Sequence, residues 1–249
     1  MSEHAGAKVV VVMPARNAAK TLEATLSDIP QGWVDEIILV DDKSTDNTVE
    51  LARALPLHVI WHPHNVGYGG NQKTCYLQAL QQDADVVVML HPDGQYEPTV
   101  IPALVEPILR GEADVVLGSR LAERGGWRRG GMPVYKFIAN RLLTGVENRV
   151  LGTGFSELHT GFRAFSRQTL ISVPFLRNSL DFSFDSEILF QAVHFGFRVR
   201  EVPVPTHYSD DASSITVGPA TLYALKTLWM AFRLVLHRRG IARSRKFTA

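Results

Sequence analysis

The chain has 249 residues, 45% of them hydrophobic, with 13 prolines and a formal net charge of +1; this describes one large folded domain, or one with an appendage, and excludes a disordered or fibrous protein. A single cysteine, Cys75, rules out an intramolecular disulfide and is a poor seed for a zinc site. The charge is unevenly placed: residues 1–211 hold all 25 acids and 19 of the 26 bases, a net of −6, whereas residues 212–249 hold seven bases and no acid.

No basic segment with an apolar core and cleavage site precedes Val9, so a cytoplasmic protein is expected. Apolar runs of strand length then alternate with helical stretches. Strands are expected at 9–13, 36–40, 59–61, 86–90 and 115–117, and helices at 19–29, 47–55, 68–82 and 99–110. Runs such as VVVVM and VVVML are too uniformly apolar for a one-sided sheet and call for helices on both faces. The expected class is therefore α/β, a doubly wound, mostly parallel sheet. From 121 to 157 the rhythm breaks: RGGWRRGGM (124–132) is expected as a mobile loop, followed by a helix over 135–151. Alternation returns with a strand at 161–166, a helix over 186–195 and a strand at 198–202.

In an open α/β sheet the ligand lies outside the carboxyl ends of the strands. The first strand ends in Pro14-Ala15-Arg16-Asn17, the second in Asp41-Asp42-Lys43-Ser44, and the fourth in His91-Pro92-Asp93-Gly94-Gln95. The third leads into HNVGYGGNQKT, with Gly67, Asn71 and Lys73. Together these ends supply carboxylates, amides, a guanidinium and glycine-opened backbone, which suits a nucleotide with a metal-bound diphosphate. Each piece has a plainer role open to it: turn or helix cap for Asp41, Asp42 and Asp46, and flexible loop for GYGGN. The glycines match neither GxGxxG nor a P-loop, which disfavours a dinucleotide oxidoreductase or a P-loop NTPase.

Asp83-Ala84-Asp85 has the look of a metal motif, but it precedes the fourth strand and so lies at the wrong end of the sheet, roughly 15 Å away. Asp93, helped by Gln95 or His91, suits Mg²⁺ or Mn²⁺ that draws its other ligands from water and substrate phosphates.

In order, VVMPARN, EIILVDDKSTDNT, HNVGYGGNQKT, VVVMLHPDGQYEP, VVLGSR, TGFRAF, FDSEILFQA and VREVPVPTHY resemble a family 2 glycosyltransferase with the GT-A fold, nearest the dolichyl- and polyprenyl-phosphate branch. The resemblance spans about Lys8 to Tyr208. It implies inverting transfer from a UDP- or GDP-sugar, assisted by a divalent metal, to a polyprenyl phosphate or another membrane-associated glycan acceptor. By the same resemblance Pro14, Ala15, Arg16, Asp41 and Asp42 meet the nucleotide, with Gly67, Asn71 and Lys73 placed beside them. Asp93 stands for the second aspartate of the metal motif, Gln95 for a glutamine beside it, and His91 replaces the first aspartate. The segments 118–120, with Arg120, and 161–163, with Arg163, line donor and acceptor phosphates. Asp185 occupies the position of the catalytic base and Phe184 that of its neighbouring glutamate. Glu187 is the alternative acid, but residues two apart on a helix do not share a face, which leaves Asp185 preferred. A phosphate acceptor, already anionic near neutral pH, needs no strong base, whereas a sugar hydroxyl does.

The stretch 221–236 has 16 residues and contains Lys226 and Arg233, short of the roughly 20 needed to span a bilayer. The tail (212–249) is expected as an amphipathic helix, either on the inner face of an anionic membrane or packed on the body or a second copy in a homo-oligomer. Nucleic acid is not an expected partner, since the body is acidic. Two other functions share the same sheet: a non-catalytic nucleotide-sugar binding module and a metal-dependent nucleotidyltransferase.

Overall fold

The computed structural model describes residues 6–206 and 217–248. The first five residues, Tyr208 and the 211/212 boundary of the tail lie outside the described residues.

The first strand, β1 (Val9–Ala15), is buried along all seven residues. Its side chains alternate between two cores, Val10 and Val12 entering one and Val9, Val11 and Met13 the other. A pleat sends successive side chains to opposite faces, so this run is stable only between two helical layers. The chain continues through α1 (Leu22–Ser27), β2 (Glu36–Asp41), α2 (Thr48–Arg53), β3 (His58–Trp61), α3 (Tyr68–Gln81), β4 (Val86–Met89), α4 (Ile101–Leu109) and β5 (Val115–Ser119). It then forms α5 (Gly126–Arg129), α6 (Val134–Leu151), β6 (Arg163–Ser166), α7 (Arg167–Ser172), α8 (Phe184–His194), β7 (Val199–Pro203) and α9 (Val217–Arg238). The strands form one sheet in the order β3-β2-β1-β4-β6-β5-β7. Neighbours are parallel except at β6, which runs antiparallel to both β4 and β5. The α/β reading holds, with helices α3, α8 and α9 contributing to one core and α1, α2 and α4 to the other.

One expectation changes. The segment 124–132 is not a featureless mobile loop: it contains α5, and Trp127 stacks on Phe137 of α6 with ring centroids 4.2 Å apart. Gly130 lies so close to Thr206 that a Cβ there would sit 2.6 Å from its carbonyl oxygen, and that contact explains the glycine. Of the placements open to the tail, α9 takes the one packed on the body, burying Met230, Ala231 and Leu234 in the same core as β1 and α8. Phe247, further along, is buried there too. The opposite face of α9 leaves Leu222, Leu225, Trp229 and Phe232 exposed, so the helix carries apolar residues on both its buried and its exposed face. No helix among the described residues is long and apolar enough to cross a membrane.

Candidate active site

The carboxyl ends of β1 and β2 are laced together. Asp42 N donates to Ala15 O at 2.8 Å, Asn17 N to Ser44 Oγ at 2.8 Å and Thr45 N to Asn17 Oδ1 at 2.8 Å. Asn17 and Lys43, at the two turns, both hold positive φ, 54° and 60°, a conformation that non-glycine residues adopt at a cost and that clusters at functional sites. Pro14 and Ala15 are buried, and Arg16 is exposed at the rim. Asp41 is buried and accepts the Ser44 backbone N–H at 2.9 Å. Asp42, also buried, takes Val66 N at 2.7 Å and Gly67 N at 3.1 Å, with Asn65 Nδ2 at 2.9 Å. Its carboxylate thus organises the loop after β3 from inside.

A cavity of about 540 Å³ is lined by His91, Asp93, Gln95, Arg120, His159, Gly161 and Asp185, with Tyr135, Lys136, Ala139, Asn140 and Leu143 from α6 and Ala220, Thr221, Tyr223 and Ala224 from α9; Pro14, Ala15, Arg16, Asp41 and Asp42 are not among its lining residues. Five of the expected site residues, His91, Asp93, Gln95, Arg120 and Asp185, therefore face one space. It is reached from the end of β4, the end of β5 and the start of α8.

Asp185 is held from three sides. Tyr68 Oη donates to its Oδ2 at 2.7 Å, Gln72 Nε2 to its Oδ1 at 3.0 Å, and Arg163 Nη1 lies 3.9 Å from Oδ1. Burial, reinforced by the Asp185 charge, pushes the Tyr68 hydroxyl well above the ordinary tyrosine range, so Tyr68 is a donor there and not a phenolate. The same hydroxyl lies 3.2 Å from His91 Nε2. Arg120 reaches the cavity on a rigid mount: its Nε donates to Glu157 Oε1 at 2.9 Å and its Nη2 to His159 O at 2.8 Å. Burial alone would raise the Glu157 carboxyl; the Arg120 charge and hydrogen bonds from Arg120 and Asn140 outweigh it and hold the group below its usual value.

Other expected residues lie elsewhere. Arg163 is 1% exposed and does not line the cavity. Its guanidinium donates to the carbonyls of Thr160 at 2.6 Å, Leu158 at 3.2 Å and Asp185 at 2.5 Å, so it braces the start of α8 and has no donor aimed at a phosphate in the cavity. Glu187 turns away from the cavity to accept Ser179 N at 2.6 Å and to pair with Lys246. Lys73 donates to Asn178 O on that same side, and burial lowers its ammonium below the usual lysine value despite the opposing Glu187 charge. Asn71 ties to Val40 O at 2.9 Å. The glycines of GYGGN serve packing: a Cβ at Gly67 would lie 2.5 Å from Leu180 O and one at Gly69 2.4 Å from Ser179 O. Asp85 caps the amino end of the sheet through Lys8 N at 2.8 Å, which confirms that Asp83-Ala84-Asp85 is remote from the site.

For a divalent cation, Asp93 contributes a hard oxygen and Gln95 an amide beside it, and Gln95 N donates to Asp93 Oδ1 at 3.0 Å, fixing the loop. Among the described residues no group of three or more His, Cys, Asp or Glu forms a closed metal cage. That donor set fits Mg²⁺ or Mn²⁺ completed by substrate phosphates and water, and does not fit a structural zinc.

Several cavity groups escape motif reading. Tyr68 hides inside the glycine motif, and Gln72 lies one turn further along α3. Tyr223 of α9 hydrogen-bonds His159 Nδ1 at 2.6 Å and Ser186 Oγ at 2.7 Å. Behind His159, fully buried Glu147 places Oε2 2.9 Å from Nε2 without hydrogen-bond alignment. The helix of the tail is thereby fastened to the residue next to Asp185.

Compared with known proteins, residues 10–173 match the model of Glycosyl transferase family 2. The chain is similar to a UDP-N-acetylglucosamine–dolichyl-phosphate N-acetylglucosaminyltransferase of Methanococcus voltae, 26% identical over 89% of this chain and 96% of that one. It is also similar to a polyprenol monophosphomannose synthase of Mycolicibacterium smegmatis, 25% identical over 79% and 76% of the two chains. Among solved structures, glucosyl-3-phosphoglycerate synthase from Mycobacterium tuberculosis in complex with Mg²⁺ and UDP superposes with a TM-score of 0.70 at 25% identity, over 96% of this chain and 82% of that one.

Proposed function

The chain belongs to glycosyl transferase family 2 and has the GT-A fold, and from that premise we propose that it moves a sugar, with inversion, from a UDP- or GDP-sugar to a polyprenyl phosphate at a membrane surface. The observation that carries this reading is the shared cavity, lined by Asp93, Gln95, Arg120 and Asp185 together with residues of α6 and α9. Its polar groups suit a diphosphate, and its lining by Tyr135, Leu143 and Ala220 suits an isoprenoid chain. The similar relatives whose names carry dolichyl phosphate and polyprenol support the acceptor class, and the UDP complex of the similar mycobacterial synthase supports the donor class.

In the proposed reaction the ends of β1 and β2 hold the nucleoside, and Asp93 with Gln95 would hold Mg²⁺ or Mn²⁺. When bound, the cation neutralises charge on the departing diphosphate. Arg120, locked by Glu157, adds a fixed positive charge near the phosphates, placed before reaction and so free of reorganisation cost. Asp185, kept in place by Tyr68 and Gln72, faces the attacking acceptor oxygen and takes its proton when it carries one. A phosphate monoester has a second pKa of roughly 6, so near neutral pH most acceptor needs no such help. Arg163 acts indirectly, through the carbonyl of Asp185.

Both helices that wall the cavity also carry exposed apolar residues, Val134, Ile138 and Leu142 on α6 and Leu225, Trp229 and Phe232 on α9. Together with the basic residues of the tail they form the proposed docking face for an anionic membrane. A direct test incubates full-length protein with UDP- or GDP-sugars, Mn²⁺ and vesicles containing polyprenyl phosphate, and follows glycolipid by extraction and the anomeric coupling by NMR. Donor-dependent glycolipid of inverted configuration is expected. Absence of product with every donor, together with no change in melting temperature on adding UDP or GDP with Mn²⁺, would overturn the reading.

A further inference from the structure

The inward faces of α6 and α9 change character along their length. Away from the cavity they are apolar, with Leu151 on α6 and Met230 and Leu234 on α9. Toward the turns that line it they carry polar groups: buried Thr144 and Glu147 on α6, half-buried Tyr223 and buried Thr227 on α9. Most of these groups join into one chain. Tyr223 Oη lies 2.6 Å from His159 Nδ1 and 2.7 Å from Ser186 Oγ, and Thr227 Oγ1 donates to the same Ser186 oxygen at 3.4 Å. At the other nitrogen of the His159 ring, Glu147 Oε2 stands 2.9 Å from Nε2. Ser186 adjoins Asp185, and Lys226, one turn along α9 from Tyr223, pairs with Asp181 just ahead of α8. Burial, reinforced by the Glu147 charge, pushes the Tyr223 hydroxyl above the ordinary tyrosine range, so it stays a phenol.

Packing does not account for this chain. Glu147 is fully buried, and among the described residues no aligned hydrogen bond reaches either of its oxygens. A carboxylate buried in that way costs stability that an apolar side chain would not, and such breaks of the local rules gather where function requires them. Glu147 does not line the cavity, whereas His159, Tyr223 and Asp185 do. We propose that Glu147, His159 and Tyr223 are positioning residues that set the α9 wall of the cavity against Asp185, so that an acceptor phosphate lying along that wall is presented to the carboxylate; this rests on the glycosyl-transfer reading above. Arg120 leans on the His159 carbonyl and not on its ring, so side-chain changes in the chain should spare the donor.

Full-length protein and two conservative variants test this. Tyr223→Phe removes only a hydroxyl, and Glu147→Gln keeps shape while removing charge. Farnesyl phosphate, titrated calorimetrically, should bind both variants about tenfold more weakly than wild type, and kcat/KM for the lipid acceptor should fall about tenfold to a hundredfold. Donor KM and UDP–Mn²⁺ affinity should stay within about twofold of wild type, the spread expected where no contact is lost. Glu147→Gln is the decisive variant, because its side chain reaches the cavity only through His159; its Tm should hold or rise, since the buried charge makes no hydrogen bond. A role confined to stability would lower Tm and weaken donor and acceptor alike, and that pattern overturns the proposal. So does wild-type acceptor binding in Glu147→Gln. If Glu147→Gln does not fold, the contrast between acceptor and donor in Tyr223→Phe decides in its place. If wild type makes no glycolipid from any donor, the glycosyl-transfer reading fails. The farnesyl phosphate titration then decides alone: weaker binding in the variants supports the positioning role, and equal binding, or none by wild type, overturns it.

Discussion

Asp185 and Glu187, two residues apart at the start of α8, point to opposite sides of that helix: the first lies in the cavity between Tyr68 and Gln72, and the second is sealed against Ser179 and Lys246. Similar chemistry in neighbouring positions thus serves two purposes, and substitution separates them.

Asp185→Asn should slow transfer most at acid pH. Below the acceptor's second pKa of roughly 6 the phosphate carries a proton and is a weaker nucleophile, which Asp185 offsets by accepting that proton as the new bond forms, and above it that demand disappears. The deficit should be about a hundredfold near pH 5.5 and shrink steadily toward pH 8. A deficit that stays level across this range would point to a sugar hydroxyl as acceptor. Initial rates against pH, for both proteins with one lipid acceptor, make the comparison.

Glu187→Gln should leave kcat nearly unchanged and lower stability. It strips a buried partner from Lys246 and an opposing charge from Lys73, and breaking a buried pair from one side costs about 3 kcal/mol. For a chain of this size that corresponds to roughly 6–12 °C in Tm, which differential scanning fluorimetry resolves.

Glu157 carries an acid-linked share of the stability. Its carboxyl is held below the usual value in the fold, so the unfolded chain takes up its proton first as pH falls. That stability is complete above the unfolded value of about 4.3 and is lost progressively below it. Wild type should therefore lose Tm steeply from about pH 4.5 downward. Glu157→Gln should begin lower at neutral pH and show a shallower slope; parallel curves for the two proteins would count against this assignment.

Gly69→Ala should destabilise the protein with no nucleotide present, because the added methyl would meet Ser179 O at 2.4 Å, a backbone atom that cannot step aside. An overpacked site of this kind costs about 1–3 kcal/mol. Were the glycine there only to admit a phosphate, the unliganded Tm would not move and nucleotide affinity alone would fall.

Replacing Leu225, Trp229 and Phe232 by glutamine should keep the fold and cut flotation with anionic vesicles. Replacing Met230 or Leu234, which face the core, should unfold the protein at about 2–5 kcal/mol per truncation to alanine. Circular dichroism and flotation measured on the same samples distinguish the two faces of α9.

Much of this arrangement was readable from residue order. Uniformly apolar runs announced strands buried on both faces, and β1 divides its side chains between two cores as such a run requires. The placement of Asp93 at a carboxyl end, and of Asp83 and Asp85 at the other, followed from chain direction alone. The rule that ligands gather after strands fails at β6, because that strand is antiparallel: the residues preceding it, His159 to Gly161, arrive at the crevice. Strand direction leaves no local mark in RAFS. Nor could a motif announce that Arg163 and Asp42 spend their donors and acceptors on backbone and loop, since that depends on who comes close in three dimensions. Tyr223 is hidden for a related reason: its partners His159 and Ser186 lie 64 and 37 residues away in the chain.

The walls of the cavity are supplied in chain order. Asp93 and Gln95 arrive before residue 100, whereas α6 and α9, the apolar walls, both come after residue 130. On the proposed reading, the cation site and the apolar acceptor wall are inherited from different halves of the gene product, with Arg120, beside the phosphates, on the later half. A hybrid joined between α4 and β5 should therefore exchange the lipid it glycosylates while keeping its sugar, provided that the two halves still agree at Tyr68, Gln72 and Asp185, where they touch.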